Sequence, residues 1–205
     1  MNTIERKPIF DAVRVLLGRG FSTREVQALD LAIDQAIGKA TAPEDLPWMI
    51  EARKHLGLRE IPGKRHNPTI LRWIRGLGGW FTDDETPWCG TFVAHCLRSA
   101  GLSVPKHWYR AKAYADWGVP CSPQVGAVAV FGRKGGGHVG FIVGESGTNF
   151  YILGGNQRNE VNISPIAKSR LVNGGKGACR WPSGVKLASK PLPRMAGGRR
   201  TVNEA

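Results

Sequence analysis

The sequence predicts an α+β domain, helices first and an antiparallel sheet after them. Three observations carry this. From Trp48 onward three helix starts share one device, a proline at the first helical position, at Pro47, Pro68 and Pro87. Past Cys121 the texture changes to short β-rich runs parted by glycine clusters. Glycine itself supplies 27 of 205 residues, well above its average share of roughly 7%, which favours a turn-rich fold over a helical bundle.

The elements follow in order. Ile9, Phe10, Val13, Leu16 and Leu17 recur at helical spacing and stop at Gly18. Ser22-Thr-Arg-Glu25 reads as a capping box that opens a second helix carrying Val26, Leu29, Ile33 and Ile37 on one side. Residues 1–40 thus form a helical hairpin too small to fold alone, whose apolar stripe packs on the rest of the chain, on another copy or on a partner, the first being favoured, with docking or wall binding as its expected role. Thr41 to Pro47 is a linker. Helices are expected from Pro47 to about Leu56, from Pro68 behind an Asn67 cap to about Arg75, from Pro87 behind a Thr86 cap to about Ala100, and from His107 to Trp117. Strands are expected at Val125–Phe131, His138–Val143, Asn149–Leu153, Glu160–Ser164 and Gly177–Trp181. The main domain spans 46–184. Residues 185–205, with Pro191, Pro193 and Arg199-Arg200, read as a flexible basic tail.

Composition excludes whole classes. Apolar residues at 41% and charged residues at 22% allow a real core, so wholesale disorder is out. No window approaches the ~18 uncharged apolar residues of a membrane span, and Met1 to Phe10 lacks a signal-peptide core. The net charge of +13 is uneven: 1–46 carry −1, 47–185 carry +10 and the remainder +4. A basic main domain points to a polyanionic setting such as a bacterial envelope, an anionic membrane surface or nucleic acid. Cys89, Cys96, Cys121 and Cys179 contain no CxxC pair, so neither a zinc ribbon nor a thioredoxin-type centre is expected.

Cys89 falls in the first turn of its helix, where free amides and the helix dipole favour an anion and should lower a thiol pKa. Burial as a core residue is an equal reading for it; mid-helix Cys96 is core. His138 follows Gly135-Gly-Gly137 and opens the run Val139-Gly-Phe-Ile-Val143. The next strand runs into Asn156. If the two strands pair about the Glu145-Ser-Gly-Thr turn, His138 and Asn156 share one sheet end, and the carboxamide oxygen can accept from one imidazole nitrogen while the other faces Cys89. That is nucleophile, base and orienter of a thiol hydrolase.

Pro87-Trp-Cys89-Gly-Thr-Phe-Val, Gly137-His-Val-Gly-Phe-Ile-Val143 and Leu153-Gly-Gly-Asn156-Gln resemble the CHAP and NlpC-type cysteine peptidases and amidases, and more closely their phage and prophage endolysin branch. The similarity covers roughly Leu46 to Pro182. It implies a papain-like thiol hydrolase fold, Cys89 as nucleophile, His138 as general base and Asn156 as orienting group. The acidic residue that many CHAP domains carry two places before the asparagine is Gly154 here, and Trp88 replaces the Gln or Asp often found before the cysteine. The backbone N–H groups of Cys89 and Gly90 are the expected oxyanion donors.

The resemblance implies a peptidoglycan substrate, cut between N-acetylmuramic acid and L-alanine or within the stem peptide or cross-bridge. The expectations that follow are an endolysin in host lysis, held in the host cytoplasm until holin-type release and then acting on the wall. It needs no cofactor or metal and no nucleic acid, works as a monomer, and meets an anionic envelope surface. An interbacterial amidase effector with the same site is the alternative; a non-catalytic basic nucleic-acid or envelope-binding module ranks lower. Trp80, Trp88, Lys134 (with Arg133) and Asp84 are candidate substrate contacts. Each has a plainer reading as core, solvated loop or solvated turn. Asp83-Asp84-Glu85 lacks the alternating oxygens of a calcium loop. His55 and His66 lack partners at metal-ligand spacing, and His95, six residues past Cys89, falls on the opposite helix face as a surface or packing residue.

Overall fold

The computed structural model describes residues 6–21, 25–26, 29, 33, 46–172, 179–187 and 192–195. The chain divides into two compact units, 1–42 and 43–205.

In the smaller unit α1 spans Arg6–Leu17 and ends where Gly18 takes the left-handed φ of 62°. Asp11 pairs with Lys7 at 2.7 Å and with Arg14 at 2.9 Å, the i,i+4 and i,i+3 partners of one helix face. The Phe10 ring meets Phe21 edge-on at 5.4 Å. Most of the expected second helix lies outside the described residues; Glu25, Val26, Leu29 and Ile33 within it are helical.

The larger unit is the expected α+β layout: α2 (Pro47–Lys54), α3 (Pro68–Gly76), α4 (Cys89–Ser99), a 3-10 helix (Ala111–Asp116) and six strands. Asn67 caps α3 as expected, its Oδ1 accepting from the Thr69 N–H at 2.8 Å. Thr86 does not cap α4. Its own N–H donates to Asp83 Oδ1 at 2.6 Å, and the helix begins at Cys89 with Trp88 as N-cap. The helix expected over His107–Trp117 is a turn followed by the 3-10 segment. The Tyr114 hydroxyl donates to Gly90 O at 2.9 Å and Trp108 O at 3.1 Å, a tertiary anchor that holds this segment against the start of α4.

The strands are β1 (Val119–Cys121), β2 (Val128–Arg133), β3 (Gly136–Glu145), β4 (Asn149–Gly154), β5 (Asn162–Ala167) and β6 (Cys179–Trp181), in the order β1-β6-β2-β3-β4-β5, all antiparallel. Its edge strands β1 and β5 each hold a proline, Pro120 and Pro165, where a missing ladder donor is tolerated. Residues 128–131 of β2 are buried without alternation, so both faces of the sheet centre are covered. Helix α4 packs on β3 and β4, with α2 and α3 against it, and Trp48, Trp88, Phe92, Phe141 and Trp181 fill the core. The tail is tied down in part, against expectation: Glu145 N–H donates to Pro193 O at 2.9 Å and Met195 N–H to Glu145 O at 2.8 Å.

Candidate active site

Helix α4 presents Cys89 as its first residue, so the N–H groups of Cys89 and Gly90 have no intrahelical acceptor. The thiol is 4% exposed. Burial pushes it above its ordinary 9.0, against the N–H groups of Val139, Gly90 and Cys89 and the charge of Arg133, all of which favour the thiolate. The low pKa expected from the helix end is therefore overturned. Desolvation of a nearly enclosed sulfur outweighs the dipole of one helix terminus. Val139, whose N–H is among the groups that favour the thiolate, directly follows His138 in β3.

His138 is the third residue of its strand, opposite Phe131 of β2, and fully buried. Its Nε2 faces β4: a Cβ added at Gly154 would lie 3.0 Å from that nitrogen. Counting on from the Phe141–Leu153 pair, Asn156 falls opposite His138, at the sheet end where it was expected. There the chain has left the strand, and Asn156 takes a φ of 57°. Asn156 is fully buried, and its Oδ1 and Nδ2 have no hydrogen-bond partner among the described residues. The expected hydrogen bond from His138 to Asn156 is not made, and the backbone at Asn156 has left the extended path of β4.

Packing holds the segments that carry these residues close to one another. A Cβ at Gly155 would lie 2.6 Å from both Phe92 Cβ and Trp88 Cζ3, so the residue before Asn156 rests directly on the start of α4. The segment between α4 and β1 touches both α4 and β3: a Cβ at Gly90 would meet Trp108 O at 2.5 Å, and one at Gly137 would meet Lys112 Cγ at 3.2 Å.

Sequence reasoning passed over Gln157. It is fully buried, and its Nε2 donates toward Ile152 O (3.1 Å), Gly154 O (3.3 Å), Asn162 O (2.7 Å) and Asn162 Oδ1 (3.0 Å). It knits β4 to β5 around the turn that carries Asn156. Its Cδ would lie 3.2 Å from a Cβ at Gly154, so the Gln157 amide occupies the space that an acidic side chain at 154 would take. The signal was present only as a glutamine after Asn156, with nothing local to mark it.

Two expected substrate contacts are corrected. Trp88 is fully buried, with its indole N–H donating to Glu60 Oε2 at 3.2 Å, and it packs as core rather than lining a cleft. Burial raises that Glu60 carboxyl, against the opposing Trp88 hydrogen bond. Asp84 is fully buried as well. It accepts from the N–H groups of Ile61 (2.9 Å) and Asn67 (2.6 Å) and pairs with His66 Nδ1 at 3.0 Å. Burial works against its ionisation, yet those donors hold the carboxyl below 3.8. Both oxygens are thereby spent inside the fold. Trp80 is 78% exposed and Lys134 is exposed in the β2–β3 turn, so both remain reachable.

No curated protein and no solved structure matches the chain. One family model does: the CHAP domain, over residues 81–156, a span that begins before α4 and closes on Asn156. It takes in the thiol, the imidazole and the carboxamide just described. The match spans 76 of the 205 residues and is consistent with a CHAP or NlpC-type amidase–peptidase, a family type that suggests peptidoglycan hydrolysis.

Proposed function

We propose that this protein cleaves an amide bond of peptidoglycan, N-acetylmuramoyl-L-alanine or a stem-peptide or cross-bridge link, through a Cys89 thiol served by His138 and Asn156. The reading rests on one observation above others: Cys89 opens helix α4, which packs on β3 and β4, and His138 and Asn156 fall opposite one another at one end of those strands.

Burial favours the neutral thiol, so the base acts during attack rather than before it. His138 accepts the Cys89 proton as the sulfur adds to the carbonyl. The N–H groups of Cys89 and Gly90, free of helical partners, stabilise the oxyanion; losing one such donor typically costs about 10²–10³ in rate. His138 then protonates the leaving amine, and water releases the thioester by the same path in reverse. The unspent Asn156 carboxamide orients the imidazole once substrate closes the site, in keeping with the loose hydrogen bonding of unliganded enzymes.

The +10 charge of residues 47–185 supports a role at an anionic envelope. We assign the protein to bacterial lysis as a phage- or prophage-type endolysin acting as a monomer on the wall. The test is muropeptide mass spectrometry on purified peptidoglycan. The parent should release one class of new termini, while Cys89→Ala and His138→Ala release none. A Cys89→Ala protein that digests as the parent does would refute the assignment.

A further inference from the structure

Away from the thiol, on the far face of α4, three side chains converge that the proposed reaction does not use. Glu51 and His55 stand four residues apart at the end of α2, and His95 comes from the middle of α4. His55 Nε2 lies 2.9 Å and His95 Nε2 3.2 Å from the same oxygen, Glu51 Oε1. One ligand atom from each of the three lies within 4.8 Å of the others. A zinc ion bound at about 2.0–2.1 Å to imidazole nitrogen and carboxylate oxygen needs its ligands roughly 3–3.5 Å apart, so only a small adjustment separates this triad from a coordination set.

The surroundings are built rather than incidental. Trp73, 4% exposed, stacks on the His95 ring at 4.8 Å and 17° and meets the His55 ring edge-on at 4.8 Å and 72°. Trp73 is in turn wedged against Trp88 and Phe92. The two imidazoles are therefore oriented by a buried indole, as outer partners orient metal-binding histidines elsewhere. The three side chains are 18%, 18% and 22% exposed, open on one side to a surface groove bounded by Thr69, Arg72, Leu77 and Arg98. Lys54 occupies the other Glu51 oxygen, Oε2, at 2.8 Å, and leaves Oε1 facing the histidines. Burial, against the opposing hydrogen bond to Glu51, holds His95 below its ordinary 6.5. The cationic Lys54, Arg72 and Arg98 nearby weaken the site without blocking it.

We propose that Glu51, His55 and His95 bind a divalent transition metal, zinc above all, with two imidazoles and one carboxylate from the protein and water completing the shell. The ion joins α2 to the helix that carries Cys89 and acts as a fastener of the fold, on the side opposite the reacting sulfur.

The test uses the full chain, stripped with a chelator. Isothermal titration with Zn²⁺, and Co²⁺ as a spectroscopic probe, should give one site per chain and the visible absorption of a four-coordinate Co²⁺. Zn²⁺ should raise the melting temperature. In His95→Ala and in the milder His95→Gln, affinity should fall by more than about 100-fold, beyond the 10–100-fold loss typical of altering an outer partner, and the Zn²⁺-induced melting shift should vanish. Circular dichroism of the metal-free variants confirms that they fold. Absence of binding by the parent overturns the proposal. So does binding that survives unchanged in both folded variants, which would place the ion on the cysteines or elsewhere.

Discussion

Adding a single methyl group at Gly154 tests how tightly the imidazole is seated. No left-handed φ occurs at Gly154, so alanine is conformationally acceptable there and the effect must come from space. The new Cβ would lie 3.0 Å from His138 Nε2 and 3.2 Å from Gln157 Cδ, closer than ordinary van der Waals contact. Gln157 cannot retreat without giving up its contacts to Ile152, Gly154 and Asn162. The imidazole therefore moves. Overpacking of this kind costs about 1–3 kcal/mol. Falling on the seating of the base, that is a loss of roughly 5- to 150-fold in kcat/KM at 1.36 kcal/mol per decade. Gly154→Glu, which restores the acidic residue common in the family, should be worse than alanine rather than better. Gly147→Ala is the control, since a Cβ there meets nothing within 4 Å. Turbidity loss of a peptidoglycan suspension and urea unfolding, read on the same preparations, separate activity from stability. A Gly154→Ala enzyme with parental kcat/KM and parental stability would refute this account of the site.

Other outcomes follow from the same geometry. Alkylation of Cys89 by iodoacetamide should keep accelerating as pH rises past 9, because burial favours the neutral thiol; a rate already level below pH 8 would show a preformed thiolate instead. Asp84→Asn should cost about 1.5–3 kcal/mol at pH 7, the worth of hydrogen bonds to a charged group, measured by urea unfolding. The Asp84 carboxyl is depressed in the fold, so its contribution is present above the unfolded value of 3.8 and fades as pH falls through the lower folded value; the gap between parent and Asp84→Asn should narrow in acid. Trp80→Ala should leave stability within about 0.5 kcal/mol, as befits an exposed side chain, and raise KM for peptidoglycan. An unchanged KM removes Trp80 from the substrate contacts.

What could be read from the sequence is what local chemistry decides. Pro47 and Pro68 open helices because a proline at N1 carries its own φ and sacrifices no hydrogen bond, and Asn67 caps because its side chain reaches the Thr69 amide unaided. The order of Cys89, His138 and Asn156 was visible for a different reason: each sits in a short stretch that resembles a family motif. Where a tertiary contact competes, local signals mislead. Asp83 takes the Thr86 amide and delays α4 to Cys89. Tyr114 pins its segment to Gly90, and a 3-10 turn stands where a helix was expected. Strand β1 is three residues including Pro120 and exists through its pairing with β6. The resting state of the thiol was misjudged on the same ground, since the helix end is legible in sequence and the enclosure of the sulfur is not. The meeting of His55 with His95 across two helices and the role of Gln157 likewise depend on packing that no spacing rule encodes.

The claim beneath all of this is that bond cleavage passes through a covalent thioester on one sulfur. Acid-quenching the enzyme during turnover of soluble peptidoglycan fragments, followed by intact-mass analysis and peptide mapping, tests it directly. The account predicts an acyl adduct confined to the peptide containing Cys89, absent from Cys89→Ala. Turnover with no adduct at any time point, at a rate that Cys89→Ala retains, would contradict it.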